Sequence, residues 1–368
     1  MFKKIYRRND LIDLKQYGYI ETEVPAAGLL PGRVTEQRRE QYIVITERGE
    51  VNAVLKGTFL HEAVVRADLP CVGDFVFLQY NECGVSQITD LMPRRSKFSR
   101  LDNSGHGYAH IKANREQIVA VNFDYVFILS SLNQDFNLGR IMRYLTQTLQ
   151  SGGQPVVLLT KADLAEDPGA PENKVRQSAP GVPVHSISSR TGFGLDALCE
   201  YLLPGTTIVF LGMSGVGKSS LLNVLMEQEV MVVKAIREDD GRGRHTTTHR
   251  QLFMLPSGAM VIDTPGMREL GLFVSDEGLN EGFSDVDALV SQCRFSDCRH
   301  MTEPGCAVLD AIERGDITQA RWENYIKLKR EALYSDDKVA AMREKFARNK
   351  EIAVWSKKRR KDVWNAKQ

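Results

Sequence analysis

Residues 207–219 read Thr-Ile-Val-Phe-Leu-Gly-Met-Ser-Gly-Val-Gly-Lys-Ser, an apolar run followed by a glycine-rich octet, and helical spacing continues from Ser219 to Met226. The octet, Gly212 to Ser219, fits G-x4-G-K-[ST], and its place between a strand and a helix is what makes the pattern specific. Its glycines let backbone N–H groups turn toward a triphosphate, and the helix N-terminus adds a favourable dipole. Lys218 reaches the β- and γ-phosphates, and the Ser219 hydroxyl is placed to bind Mg²⁺. Gly212, Ser214, Gly215, Val216, Gly217, Lys218, Ser219 and Ser220 are the candidate phosphate-binding residues. A glycine-rich turn beside a surface lysine is the plain alternative.

Around this motif, strand alternates with helix. Tyr125–Ser130 and Val156–Thr160 are continuous apolar runs of the kind buried on both faces, and Gly139–Gln150 between them has helical spacing through Ile141, Tyr144, Leu145 and Leu149. Val182–Ile187, Leu195–Leu202 and Met260–Asp263 continue the alternation, which predicts a parallel, doubly wound α/β sheet. Beyond about Phe273 the chain reads as helices.

Two further boxes bear on the nucleotide. Asp263-Thr264-Pro265-Gly266 follows a strand, so the Asp263 carboxylate can hold Mg²⁺ through water while the Gly266 N–H senses a γ-phosphate. Thr160-Lys161-Ala162-Asp163 ends another strand, where Asp163 can accept from guanine N1–H and N2–H₂, a pair that adenine does not offer. Ser188-Ser189-Arg190 is expected to bring backbone N–H groups to guanine O6. Between the P-loop and Asp263, the polar, glycine-rich run Gly241–Thr248 carries His245, Thr247 and Thr248, and one of its threonines can complete the Mg²⁺ shell. The residue after the D-x-x-G box is Met267, which cannot orient an attacking water. His245 is the candidate for that task, with contact to RNA or protein as its other reading.

The boxes occur in the order Asp163, Ser188, Gly212, Asp263. A small GTPase begins with the P-loop and ends with the base-reading boxes, so this GTPase is circularly permuted. Its switch segments then lead into the C-terminal region, where loop ordering can transmit nucleotide state. There Cys293-x4-Cys298-x-His300-x5-Cys306 supplies three thiolates and an imidazole, a set suited to a closed, tetrahedral structural Zn²⁺. Three buried cysteines near a surface histidine are the alternative.

At the other end, Gly32–Glu36, Tyr42–Thr46, Glu50–Leu55, Phe75–Gln79 and Val85–Asp90 alternate as five short strands, which fit an OB-fold barrel. An SH3-like barrel reads almost the same. The resulting organisation is an N-terminal extension (1–30), an OB-fold domain (31–95), a basic linker (96–114), a circularly permuted GTPase domain (115–275) and a helical zinc-binding domain with a basic tail (276–368).

The whole chain has 368 residues with 48 Lys or Arg against 47 Asp or Glu, so its net charge of +1 names no partner. From Lys338 to Gln368, however, eleven cations face three acids with Trp355 and Trp364 interleaved, which suits a polyanion. No run is long and apolar enough to span a membrane, no signal-peptide pattern opens the chain, and a cytoplasmic location is expected.

Over about Gly32–Arg330 the order, motifs and flanks resemble the RsgA (YjeQ) family of bacterial GTPases that depend on the small ribosomal subunit. The P-loop, Arg244–Thr248, the Asp263 box and the cysteine cluster match its pattern, whereas Thr160 stands where the commonest guanine box has Asn. The resemblance implies an OB-fold, a permuted GTPase and a zinc domain. It further implies GTP hydrolysis with Mg²⁺, one structural zinc, His245 at the water, and a monomer that binds the small (30S) subunit and its 16S rRNA late in assembly. A GTP-dependent rRNA-binding chaperone or translation regulator with negligible catalysis is the alternative, and a metabolic hydrolase is a further one.

Overall fold

The computed structural model describes residues 11–21, 26–38, 41–63, 66–101, 116–133, 136–229, 250–263, 282–295 and 297–330. Its first strands are β1 (Leu29–Arg38), β2 (Gln41–Thr46) and β3 (Gly49–Leu55), then a short helix α1 (Gly57–Glu62), β4 (Phe75–Gln79) and β5 (Ser86–Leu91). β1 pairs with β2, β2 with β3, β3 in parallel with β5, β5 with β4, and β4 back with β1. That closed order is the five-stranded OB arrangement, which resolves the choice the sequence left between two barrels. Val34, Tyr42, Val44, Ala53, Val76, Leu78 and Ile88 fill its interior.

The segment read as a basic linker is built into the fold at its start. β6 (Lys97–Leu101) pairs with β7 (Glu116–Val121), and Phe98 stacks on Phe123 with centroids 5.1 Å apart. Just before it, Arg94 forks onto Asp74 at 2.7 Å and donates to the carbonyls of Ala67 and Leu69. Its charge is therefore used inside the barrel rather than offered to a polyanion.

The α/β layer comprises β8 (Tyr125–Ser131), α2 (Leu138–Gln150), β9 (Gln154–Thr160), α3 (Gly169–Ser178), β10 (Val184–Ser186), β11 (Thr207–Leu211), α4 (Lys218–Leu225), β12 (Arg250–Met254) and β13 (Met260–Asp263). The strands lie in the order β10-β9-β8-β11-β13-β12, parallel except that β12 runs antiparallel to β13. The sheet is thus mixed rather than wholly parallel, because β12 returns into β13 through a tight turn at 255–259. The Leu195–Leu202 stretch forms only a short 3-10 turn, Asp196–Leu198. Phe127, Leu129, Leu158, Ile208, Phe210 and Val261 are among the core residues, and Asn137 caps α2 by accepting from the Arg140 N–H at 2.9 Å.

Barrel and α/β layer share one eleven-stranded sheet, because β1 kinks at Val34–Glu36 and its end pairs with β12 at Glu36↔Gln251 and Gln37↔Arg250. Beneath that seam lies Arg33, which is fully buried. Its guanidinium donates to the carbonyls of Tyr17 (2.6 Å), Asn122 (2.9 Å) and Gly73 (3.3 Å) and to the Thr207 hydroxyl (2.9 Å). Burial lowers its pKa to about 9, so it stays cationic at neutral pH. Arg33→Leu would leave three main-chain acceptors without this donor, an expected loss of about 3 kcal/mol or more. A urea midpoint equal to that of the unsubstituted protein would contradict this.

Two compact units divide the chain, Met1–Leu272 and Phe273–Gln368. The described part of the second is helical: Ser284–Ser291, Ala307–Arg314 and residues 319–330. Arg321 forks onto Asp285 at 2.6 and 2.9 Å and lies over the Phe283 ring, while Trp322 stacks on Tyr325. The basic tail lies outside the described residues. Among those described, no helix is long and apolar enough to cross a membrane.

Candidate functional site

The C-terminal ends of β9, β10, β11 and β13 carry the predicted nucleotide residues, with the P-loop strand in the middle of the sheet, where doubly wound folds bind ligands. Gly212 leaves β11 so close to β8 that a Cβ there would lie 2.6 Å from the Leu129 carbonyl oxygen. Gly215 and Gly217 take left-handed φ values of 75° and 109°, which curl the loop before α4 begins at Lys218. The Lys218 ammonium donates to the carbonyls of Gly212 (2.5 Å) and Met213 (2.7 Å), spanning the loop it serves. Ser219 and Ser220 follow in the first turn of α4, half-buried. Across from them, burial pushes the Asp263 carboxyl above the usual range and the Lys218 charge partly offsets that. A cleft beside the loop is lined by Ser130, Arg140, Tyr144, Met213 and Ser214, and Arg140 is a cation that the sequence reading did not single out.

Thr160 differs in role from the expectation. Rather than only lacking an amide, its hydroxyl donates to the Val216 carbonyl at 2.6 Å and ties the Thr160–Asp163 loop to the P-loop. The near-isosteric Thr160→Val removes that donor from a buried acceptor, and GTP affinity is expected to fall about five- to tenfold, measured by equilibrium binding. Unchanged affinity would dissociate the tether from nucleotide binding.

Lys161 adopts a left-handed φ of 60° and starts the short turn that presents Asp163. The Ser188 hydroxyl donates to Asp163 Oδ1 at 2.6 Å and accepts from the N–H groups of Arg190 (3.3 Å) and Thr191 (3.2 Å). The Ser188 N–H itself donates to the Phe193 carbonyl. Of the three amides read as facing guanine O6, those of Ser188 and Arg190 are therefore engaged within the turn. The hydroxyl of Ser188, which the sequence reading did not use, orients the carboxylate instead. His245, Thr247, Thr248, Gly266 and Met267 lie outside the described residues.

In the second unit, the ligand atoms of Cys293, Cys298, His300 and Cys306 all lie within 4.8 Å of one another. His300 Nδ1 is 3.5 Å from Cys293 Sγ and 3.4 Å from Cys306 Sγ, and those two sulfurs are 3.9 Å apart. A tetrahedron with Zn–S bonds of about 2.3 Å has edges of roughly 3.8 Å, so the donor set and its spacing fit Zn²⁺. Burial and the neighbouring thiols push the Cys298 thiol up to about 11, the state that a divalent cation reverses by holding thiolates. Two further parts of the centre had no signal in the spacing. Glu303 accepts from the N–H groups of Arg299, Met301 and Thr302, which draws its carboxyl down to about 2, and Trp322 packs edge-on against His300 at 5.0 Å.

A family model described as RsgA GTPase matches residues 91–273. The "Small ribosomal subunit biogenesis GTPase RsgA 2" of Lactiplantibacillus plantarum is 45% identical over 328 residues, covering 88% of this chain and 90% of that one. This chain belongs to the RsgA GTPase family. Two solved structures have a similar fold: YjeQ from Thermotoga maritima aligns with a TM-score of 0.62 and 27% identity, over 83% of this chain and 99% of that one. YloQ, described as a circularly permuted GTPase, aligns with a TM-score of 0.59 and 25% identity, over 85% and 99%. The order of the boxes read from this sequence thus has a named counterpart in YloQ.

Proposed function

We propose that this RsgA-family chain is a cytoplasmic, monomeric GTPase that docks on the small (30S) ribosomal subunit late in its maturation and hydrolyses GTP to GDP and phosphate, with turnover stimulated by that subunit. The observation that carries the nucleotide half is the Thr160–Val216 bond, which joins a guanine-type box to a P-loop in one rigid edge. The name shared by its relatives supports the ribosomal half. Asp163, aimed by Ser188, accepts from the guanine edge, the Ser189 N–H faces O6, and Lys161 flanks the base. The P-loop amides and Lys218 hold the β- and γ-phosphates. Ser219, one of Thr247 and Thr248, and Asp263 through water are the residues that would hold Mg²⁺, which when bound neutralises charge on the phosphates. Gly266 senses the γ-phosphate, and Cys293, Cys298, His300 and Cys306 hold one structural zinc.

His245 positions the attacking water, since Met267 cannot. His245→Ala is expected to keep GTP affinity and to lower kcat by about 10²-fold or more. Normal stimulated turnover in that variant would move the role elsewhere. The subunit reading is tested by co-sedimentation with small and large subunits, in GDP and in a non-hydrolysable GTP analogue, across a salt series. Binding is expected for small subunits in the GTP state, and removing residues 338–368 should weaken it with a shallower salt dependence. Equal binding to both subunits, or no nucleotide dependence, would contradict the reading.

A further inference from the structure

Among the described residues of the second unit, the exposed large apolar side chains are Phe295 and Met301, 43% and 74% exposed, and both project from the loop that carries the metal ligands. Nothing about metal binding requires an aromatic side chain there. The loop is held at Cys293, Cys298 and His300 by the cluster, and at Arg299, Met301 and Thr302 by the Glu303 carboxylate. The backbone of such a loop loses little conformational freedom when a partner binds.

The aromatic side chain is also dressed with a cation. The Arg294 N–H donates to the Gly305 carbonyl at 3.1 Å, and its side chain lies across that glycine, where a Cβ would come within 3.2 Å of Arg294 Cβ and 3.3 Å of its Cδ. Gly305 is left-handed at φ 78°, so the turn favours glycine on both counts. Lying in that notch, Arg294 carries its guanidinium over the Phe295 ring at 5.5 Å. An exposed aromatic ring and a guanidinium plane are each surfaces on which an unpaired base stacks. Two apolar side chains offer far less than the roughly 800 Å² per partner of a stable protein interface, whereas one base needs only a single ring face.

We propose that Phe295, with the Arg294 guanidinium over its ring and Met301 on the same loop, is a stacking platform for one unpaired nucleobase of RNA. This rests on the ribosomal reading above and adds to it the kind of RNA element that the loop takes.

The test uses the full chain with its zinc, comparing Phe295→Ala, Phe295→Leu and Phe295→Trp by co-sedimentation with small subunits and by chemical footprinting of unpaired bases. Zinc content and GTP affinity should be unchanged in all three. Alanine and leucine are expected to weaken binding about 5- to 150-fold and to expose one protected base, while tryptophan retains both affinity and protection. Alanine binding as tightly as phenylalanine would overturn the platform while leaving the ribosomal reading intact. Leucine binding as tightly would overturn it in favour of an apolar protein contact. Failure of the unsubstituted protein to bind small subunits would overturn both.

Discussion

Asp163→Asn is expected to lower GTP affinity by about 10³-fold or more and to make xanthosine triphosphate the preferred nucleotide. Asparagine keeps an Oδ1 acceptor for the Ser188 hydroxyl, which donates to Asp163 Oδ1 at 2.6 Å, so the loop should hold its shape. What changes is the group facing the base, where an NH₂ donor replaces a carboxylate oxygen. Guanine presents N–H donors there, and the site is left with donor against donor, a mismatch of the kind that gives discrimination of about 10⁴ in built polar sites. Xanthine presents a carbonyl in place of the 2-amino group and accepts the new donor. Competition binding of both nucleotides to the variant checks this, and unchanged GTP affinity would defeat the assignment of Asp163.

Removing zinc should have a larger effect, on a different part of the molecule. Structural zinc contributes about 10–16 kcal/mol of binding free energy in small metal-folded modules, and that energy is also folding energy. The second unit shows why: its described part has three helices, and Cys306 stands at the start of one of them while His300 packs against the Trp322 ring. Cys298→Ala or a strong chelator is expected to unfold this unit, shift tryptophan emission toward the red and remove the single zinc per chain that metal analysis of the unsubstituted protein is expected to find. GTP affinity should persist, because the described nucleotide residues belong to Met1–Leu272. A protein purified without zinc, or Cys298→Ala with unchanged thermal stability, would contradict the assignment.

What the sequence made legible divides along physical lines. β4, β11 and β13 have the bounds expected from their apolar runs, because strands buried in a layer need apolar residues throughout. The ligand cluster was legible since a metal imposes residue types and short spacing. β12 was not, since its run Arg-Gln-Leu-Phe-Met begins with two polar residues and one of its two partners, β1, is far away in sequence. β6 and β7 were missed because Arg94, Arg95 and Lys97 suggested a solvated linker, while Arg94 is paired with Asp74. Arg33 carried no signal at all: its partners include main-chain carbonyls brought from Tyr17, Gly73 and Asn122, and a carbonyl is the same in every residue. At the site, residue types pointed to candidate groups for a nucleotide, and Lys218, Asp163 and Asp263 stand at or beyond strand ends of one sheet. The supporting bonds from Thr160 to Val216 and from Ser188 to Asp163 depend on a fold that brings distant loops together.

GTP turnover measured with the protein alone, with purified small subunits and with purified large subunits tests the central claim most directly. Slow turnover alone is expected, with at least about tenfold acceleration by small subunits and none by large ones, if the partner helps to position the attacking water as proposed. Equal turnover in all three conditions would contradict the account and leave a GTPase without a ribosomal partner.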